Sequence, residues 1–188
     1  MILDGRNEQA RAAAVEVLAS GGIALLPCDT MYGICGGVPD TEERIRRIKG
    51  RAAGKQFIIL IGDRSLLAEF TVEPVDERLV SFWPGRVTIV VVAKKGGTVA
   101  LRVPDDEFIR AIVEEVGPIY STSVNASGHP ERGTSAAIRD SYGDMVDLIV
   151  DVGDMVNRLP STIVDSTSTP YRILRQGSTR LPEDLART

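Results

Sequence analysis

Histidine is almost absent from this 188-residue chain, which carries only His129. One histidine cannot build a His-rich zinc site, and a Ser-His-Asp triad would have to recruit this one from the Gly128-His129-Pro130 loop. Cysteine is scarce too. Cys28 and Cys35 are too few for a disulfide scaffold and suit reduced thiols. No apolar run approaches the roughly 20 residues of a membrane span. The N-terminus, with Asp4, Arg6 and Glu8, shows no signal-peptide pattern. The expected location is therefore the cytoplasm, with no membrane partner. A basic excess is also missing: 22 Lys and Arg stand against 26 Asp and Glu, a formal charge of −4. Such a surface does not as a whole advertise nucleic-acid binding, although a local basic groove is allowed.

Familiar phosphate and metal motifs are lacking as well. No G-x-G-x-x-G follows a predicted strand, and there is no H-E-x-x-H or kinase signature. The stretch Gly50-Arg51-Ala52-Ala53-Gly54-Lys55-Gln56 imitates a P-loop and fails twice. Its glycines are one residue too close, and Gln56 stands where a Ser or Thr would ligate magnesium. It also follows a predicted helix, whereas a P-loop follows a strand.

What is present reads as one α/β domain over residues 1–188, with a looser tail over 178–188. Hydrophobic residues make up 43% and charged residues 26%, ordinary for a globular chain. Ala10, Ala13, Ala14, Val17 and Leu18 recur at helical spacing before Gly21-Gly22. Ile23 to Leu26 reads as a buried strand. Asp40 and Glu43 make a capping-box pattern for a helix that stops at Gly50. Further strands are predicted at 57–61, 87–93, 99–103, 119–123, 148–150, 162–164 and 171–174. Helices are predicted around 66–70, 76–83, 105–116 and 135–142. The unalternating apolar runs suggest strands covered on both faces, and the irregular helix spacing favours a mixed sheet.

Six polar clusters remain outside the predicted core. Pro27 to Gly33, with Thr30, leaves the end of the first strand, where sheet ligands often bind. Asp29 and Thr30 would equally shape a turn. Lys49-Gly50-Arg51 with Lys55 offers a phosphate clamp or a solvated helix end. Arg102 in Leu101-Arg102-Val103-Pro104 is costly to bury unpaired, so it needs a ligand carboxylate, a structural partner or an edge position. Ser121, Ser123 and Asn125 alternate, which would line up three small hydrogen-bonding groups on one strand face. Pro160 to Asp165 and Ile173 to Gly177 add Ser161 and Arg175, each an everyday feature when taken alone.

In this order the clusters resemble the YrdC/TsaC family of threonylcarbamoyl-AMP synthases. The pieces are Pro27 to Gly33, Lys49-x-Arg51, Trp83-Pro84-Gly85 with Thr88, and Arg102-Val103-Pro104. They continue with Ser123-x-Asn125-x-Ser127-Gly128, Ser161 to Asp165, and Leu174-Arg175-x-Gly177. They span about residues 22–177. The resemblance implies an α/β fold: a twisted open mixed sheet, helices packed on it and a concave ligand-binding face. It implies an enzyme, a nucleotidyltransferase that joins L-threonine, bicarbonate and ATP into threonylcarbamoyl-AMP and releases pyrophosphate. Other tRNA-modification proteins would then accept the product. Carried over by position, Thr30, Arg102, Ser121 and Ser161 would hold threonine. Arg51, Lys55, Ser123, Asn125 and Arg175 would hold ATP, with Thr98 a further nucleotide candidate. Lys49 and Arg51 would be catalytic. Mg²⁺ is implied on the triphosphate, held mainly by phosphates and water, with no protein metal ligands.

The chemistry suits these residue types. A threonine carbamate is already an anion and needs no strong general base. Attack on the α-phosphorus gathers charge on phosphate oxygens, so positioning and fixed positive charge can carry catalysis. The sequence departs from the family pattern at Cys28, at Ile34-Cys35 and at Gln56-Phe57. The last leans toward a paralogous branch. A YrdC-like nucleotide- or double-stranded-RNA-binding protein without threonine-specific activity, with direct RNA contact, is therefore the alternative. The extra C-terminal domain of the family's longer branch is not expected here.

Overall fold

The computed structural model describes residues 1–50, 56–124 and 134–187. Eleven strands occur in it: β1 (Ile2–Asp4), β2 (Ile23–Pro27), β3 (Tyr32–Gly37), β4 (Ile58–Leu60), β5 (Val87–Val92), β6 (Thr98–Arg102), β7 (Ile119–Ser123), β8 (Leu148–Asp151), β9 (Thr162–Asp165), β10 (Tyr171–Arg175) and β11 (Ala186–Arg187). The helices are α1 (Glu8–Ala19), α2 (Glu42–Lys49), α3 (Leu67–Phe70), α4 (Glu77–Val80), α5 (Glu107–Val116) and α6 (Ser135–Tyr142).

All eleven strands join one sheet in the order β1-β8-β2-β3-β7-β4-β6-β5-β9-β10-β11. The sheet is mixed. Strand β8 runs parallel to both β1 and β2, while β3 is antiparallel to β2 and β7. Strand β4 is parallel to β6, and β5 is parallel to β9. The fold is thus the α/β twisted open mixed sheet with packed helices that the sequence implied.

Side-chain alternation sorts the strands onto two faces. Ala24, Leu26, Leu60, Ile119, Leu148 and Val150 meet Ala10, Ala14 and Leu18 of α1 and Ile109, Ile112 and Val113 of α5. Ile23, Leu25, Ile34, Ile59, Leu101 and Val164 point the other way, toward Ile45, Leu79, Trp83 and Ile138. Burial on both faces is why β2 reads as an unbroken apolar run. Each fully buried Ile or Leu contributes about 1.5–3 kcal/mol relative to exposure.

Local chemistry sets the helix ends. Asn7 Oδ1 accepts from the Ala10 amide at 2.9 Å to start α1, and Asp106 Oδ1 does the same for Ile109 at 3.2 Å in α5. Gly50 ends α2 in the left-handed region at φ 58°.

The structure corrects several sequence expectations. The capping box of Asp40 and Glu43 does not form. Thr41 is the N-cap of α2, and its hydroxyl donates back to the Gly37 carbonyl at 2.8 Å instead of capping the helix. Helix α2 starts at Glu42, so Glu43 is too early to reach back to its own cap. Strand β3 is not among the strands predicted from sequence. Three glycines in Tyr32–Gly37 lower its strand propensity, yet the close approach of neighbours demands the one at Gly36. A β-carbon on Gly36 would lie 2.4 Å from Thr41 Oγ1 and 2.8 Å from Ile23 Cδ1. The tail after Gly177 is not loose. Leu181, Leu185 and Ala186 are buried, and β11 pairs with β10.

Candidate functional site

Helices α1 and α5 cover only part of their face of the sheet. Beyond them, the same strand faces turn from large apolar side chains to small polar ones. On β7, Ile119 lies under α5, whereas Ser121 and Ser123, two and four residues on, line a hollow. On β6, Ala100 and Arg102 point to that side and Leu101 to the opposite core. The hollow measures about 240 Å³ within the described residues. Thr30, Arg102, Ser121, Ser123, Ser161 and Arg175 all line it, joined by Cys28, Gln56 and Ile163. Six residues spread over almost 150 positions of sequence therefore share one cavity.

Arg102 is the most constrained of them. It is 3% exposed, and its Nη1 donates to both Asp29 oxygens, at 2.7 and 2.9 Å. Both side chains of this ion pair are almost wholly buried. The buried Nε has no hydrogen-bond partner among the described residues. Using Nη1 alone for Asp29 leaves the Nε edge of the guanidinium unspent, and a planar carboxylate matches that edge. Asp29 thus supplies the structural partner left open by the sequence, and the arginine still has a donor in reserve. The signal for Asp29 was an arginine in an apolar strand, whose charge requires a nearby carboxylate.

The far wall is built on β9 and β10. Arg175 donates through Nε and Nη2 to the Ser161 carbonyl, at 3.1 and 2.9 Å, and through Nη2 to Ser161 Oγ at 3.1 Å. Ser161 Oγ also lies 2.8 Å from the Thr88 hydroxyl of β5. The chain at Gly177 crosses so closely that a β-carbon there would sit 2.2 Å from the Pro160 carbonyl oxygen. Only glycine permits that approach, and it fixes Arg175 beside Ser161.

Gly33 shapes the floor more softly, because the atoms its β-carbon would meet are side-chain tips. Register pairs it with Ser123, while its neighbour Cys35 pairs with Ser121. A β-carbon on Gly33 would lie 2.8 Å from Ser121 Oγ and 3.3 Å from Cys28 Sγ. Cys28 and Cys35 are both free and buried. The hydrogen bond to Cys35 and burial push the Cys28 thiol well above its ordinary range. It therefore stays protonated at neutral pH and acts as a wall, not as a nucleophile.

Lys49 lies at the end of α2, and its ammonium donates to the Ser123 carbonyl. It does not line the hollow directly. Thr98 is likewise set apart. The Gln56 amide donates to the Thr98 carbonyl and, at 3.0 Å, to its hydroxyl, and only Gln56 reaches the hollow. Thr98 faces a separate groove with Phe57 and Tyr120. Arg51, Lys55, Asn125 and His129 lie outside the described residues. Sequence reasoning assigned no role to Thr88, which appeared only as a residue of the Trp83-Pro84-Gly85 piece. Among the described residues, no group of three or more His, Cys, Asp or Glu could hold a metal ion. None of their helices is long and apolar enough to cross a membrane.

Known proteins carry the same frame. The Sua5/YciO/YrdC family model, described as telomere recombination, matches residues 16–177. A protein of Mycobacterium tuberculosis (strain ATCC 25618 / H37Rv), provisionally named a threonylcarbamoyl-AMP synthase, is 31% identical over 179 residues. That match covers 88% of this chain and 82% of the relative. The crystal structure of Pyrococcus abyssi Sua5 complexed with L-threonine superposes with a TM-score of 0.83 at 26% identity. It covers 94% of this chain and 57% of the Sua5 chain, so this chain spans little more than half of that protein. Escherichia coli YciO superposes with a TM-score of 0.81 at 26% identity over 94% of both chains. With a family match that extends from within α1 to Gly177, the chain belongs to the Sua5/YciO/YrdC family.

Proposed function

We propose that this protein is an L-threonylcarbamoyladenylate synthase. It would join L-threonine, bicarbonate and ATP, release pyrophosphate and supply the product to tRNA-modification proteins. One observation carries this reading: the buried Arg102, tied to Asp29 through Nη1, keeps an Nε with no partner among the described residues and lines a hollow with Thr30, Ser121 and Ser161. An amino acid supplies the carboxylate and hydroxyl for such a lining. The L-threonine bound to Pyrococcus abyssi Sua5 supports the choice.

In this reading Arg102 takes the threonine carboxylate with Ser161 beside it, and Thr30 and Ser121 lie around the rest of the amino acid. Arg175 and Ser123 lie toward the nucleotide, with Arg51, Lys55 and Asn125 assigned there by position. Lys49 and Arg51 neutralise charge developing on phosphate oxygens. Mg²⁺ would arrive with the ATP phosphates and stabilise their charge. The reacting carbamate oxygen is already anionic. The side chains therefore need to align it with the α-phosphorus and exclude water, and no proton has to be abstracted.

The test is pyrophosphate release by the purified chain. It should require L-threonine and bicarbonate together with ATP, and omission of either should abolish it. Turnover indifferent to threonine would refute the proposal. A second reading, a YrdC-like paralog that binds nucleotide or double-stranded RNA without threonine chemistry, rests on the departure from the family pattern at Gln56-Phe57. Salt-sensitive RNA binding without threonine-dependent turnover would favour it.

A further inference from the structure

The Thr88 hydroxyl is fully buried on β5, behind Ser161 and outside the lining of the hollow. Among the described residues its one hydrogen-bond partner is Ser161 Oγ, at 2.8 Å, and distance alone allows either atom to donate. Counting protons decides the direction. Arg175 has no acceptor atom, so its Nη2 contact at 3.1 Å occupies one lone pair of Ser161 Oγ. If Ser161 gave its proton to Thr88, the Thr88 proton would point into the core with no acceptor among the described residues. An orphaned buried hydroxyl proton is unfavourable. If Thr88 donates instead, no hydroxyl proton is stranded in the core. Both Ser161 lone pairs are then filled, one by Thr88 and one by Arg175, and the Ser161 proton is left for the hollow.

We propose that Thr88 is a positioning residue that donates to Ser161 and so fixes Ser161 as a hydrogen-bond donor toward the ligand. Ser161 consequently reads an acceptor on the bound molecule, such as an oxygen of a carboxylate or phosphate. It does not read an ammonium group, because it has no lone pair left to offer. Which anion it meets rests on the function proposed above. The direction of the Thr88 bond does not.

Two measurements test this. In the first, calorimetry gives the affinities of L-threonine and of ATP for the wild-type chain and for Thr88→Val, Thr88→Ser, Ser161→Ala and the Thr88→Val/Ser161→Ala double variant. Thr88→Val should weaken L-threonine binding about fivefold, the worth of one neutral hydrogen bond, and leave ATP binding unchanged. Thr88→Ser should restore it. The double variant should bind no worse than Ser161→Ala alone. Weakening of ATP binding instead would keep the proposal and assign the oxygen to phosphate. Wild-type affinity in Thr88→Val, or an equal loss in the Ser161→Ala background, would overturn it. In the second, NMR of the ligand-free chain should show a slowly exchanging hydroxyl proton correlated with the Thr88 β-carbon. Its absence, or a protected proton on Ser161 instead, would overturn the proposal even if the chain binds neither ligand. Failure of the function itself would show separately, as wild-type protein that binds no L-threonine.

Discussion

Replacing Asp29 by Asn keeps the shape of the side chain and removes its charge. In the folded protein the Arg102 guanidinium would then be 3% exposed with no countercharge or Nε partner among the described residues. Breaking a buried ion pair on one side costs about 3–5 kcal/mol. Asn keeps one oxygen for Nη1, which places the expected loss near the lower end, about 3 kcal/mol. For a chain of 188 residues, a loss of that size lowers the midpoint by about 6–12 °C. Urea melts followed by circular dichroism, with calorimetry for the midpoint, measure both quantities. A paired Asp29→Leu/Arg102→Met variant separates the charge effect from packing. It removes both ions together and should lie within about 1 kcal/mol of wild type. An Asp29→Asn protein within about 0.5 kcal/mol of wild type would refute the claim that this pair is buried and mutually dependent.

Two further outcomes follow from local geometry. Gly33→Ala should leave the melting midpoint nearly unchanged, because the atom it strikes at 2.8 Å is the mobile tip of Ser121. L-threonine affinity should fall about tenfold as that hydroxyl rotates away, measured by calorimetry; unchanged affinity would remove Ser121 from the site. Burial and the neighbouring Glu42 carboxylate push Tyr120 up to about 12, against 10 for a free tyrosine. A raised folded value means its stabilisation is complete below about pH 10 and is lost as pH rises toward about 12. Absorbance titration at the tyrosinate band should show a late step that disappears in Tyr120→Phe, and a Tyr120 titrating at the ordinary value would contradict its buried contact.

Much of this fold was legible in one sequence because its signals are local. A helix with Ala10, Ala14 and Leu18 on one face, a glycine stop at Gly50 and unbroken apolar strands follow from periods of 3.6 and 2 and from backbone freedom. The clusters around Thr30, Arg102, Ser121, Ser161 and Arg175 were legible as polar residues that a core would not otherwise tolerate. Their meeting was not, since nothing local dictates which strand ends adjoin in a mixed sheet. Strand β3 escaped notice because Gly33 and Gly36 answer to side chains of other elements, Ser121 and Ile23 among them. Tertiary structure alone decided that Asp29 holds Arg102 by one nitrogen, that Thr98 faces away from the hollow, and that Thr88 stands behind Ser161. Those are matters of hydrogen-bond direction between chain-distant groups. They exist only once the sheet has brought β5, β6, β9 and the β2–β3 turn together.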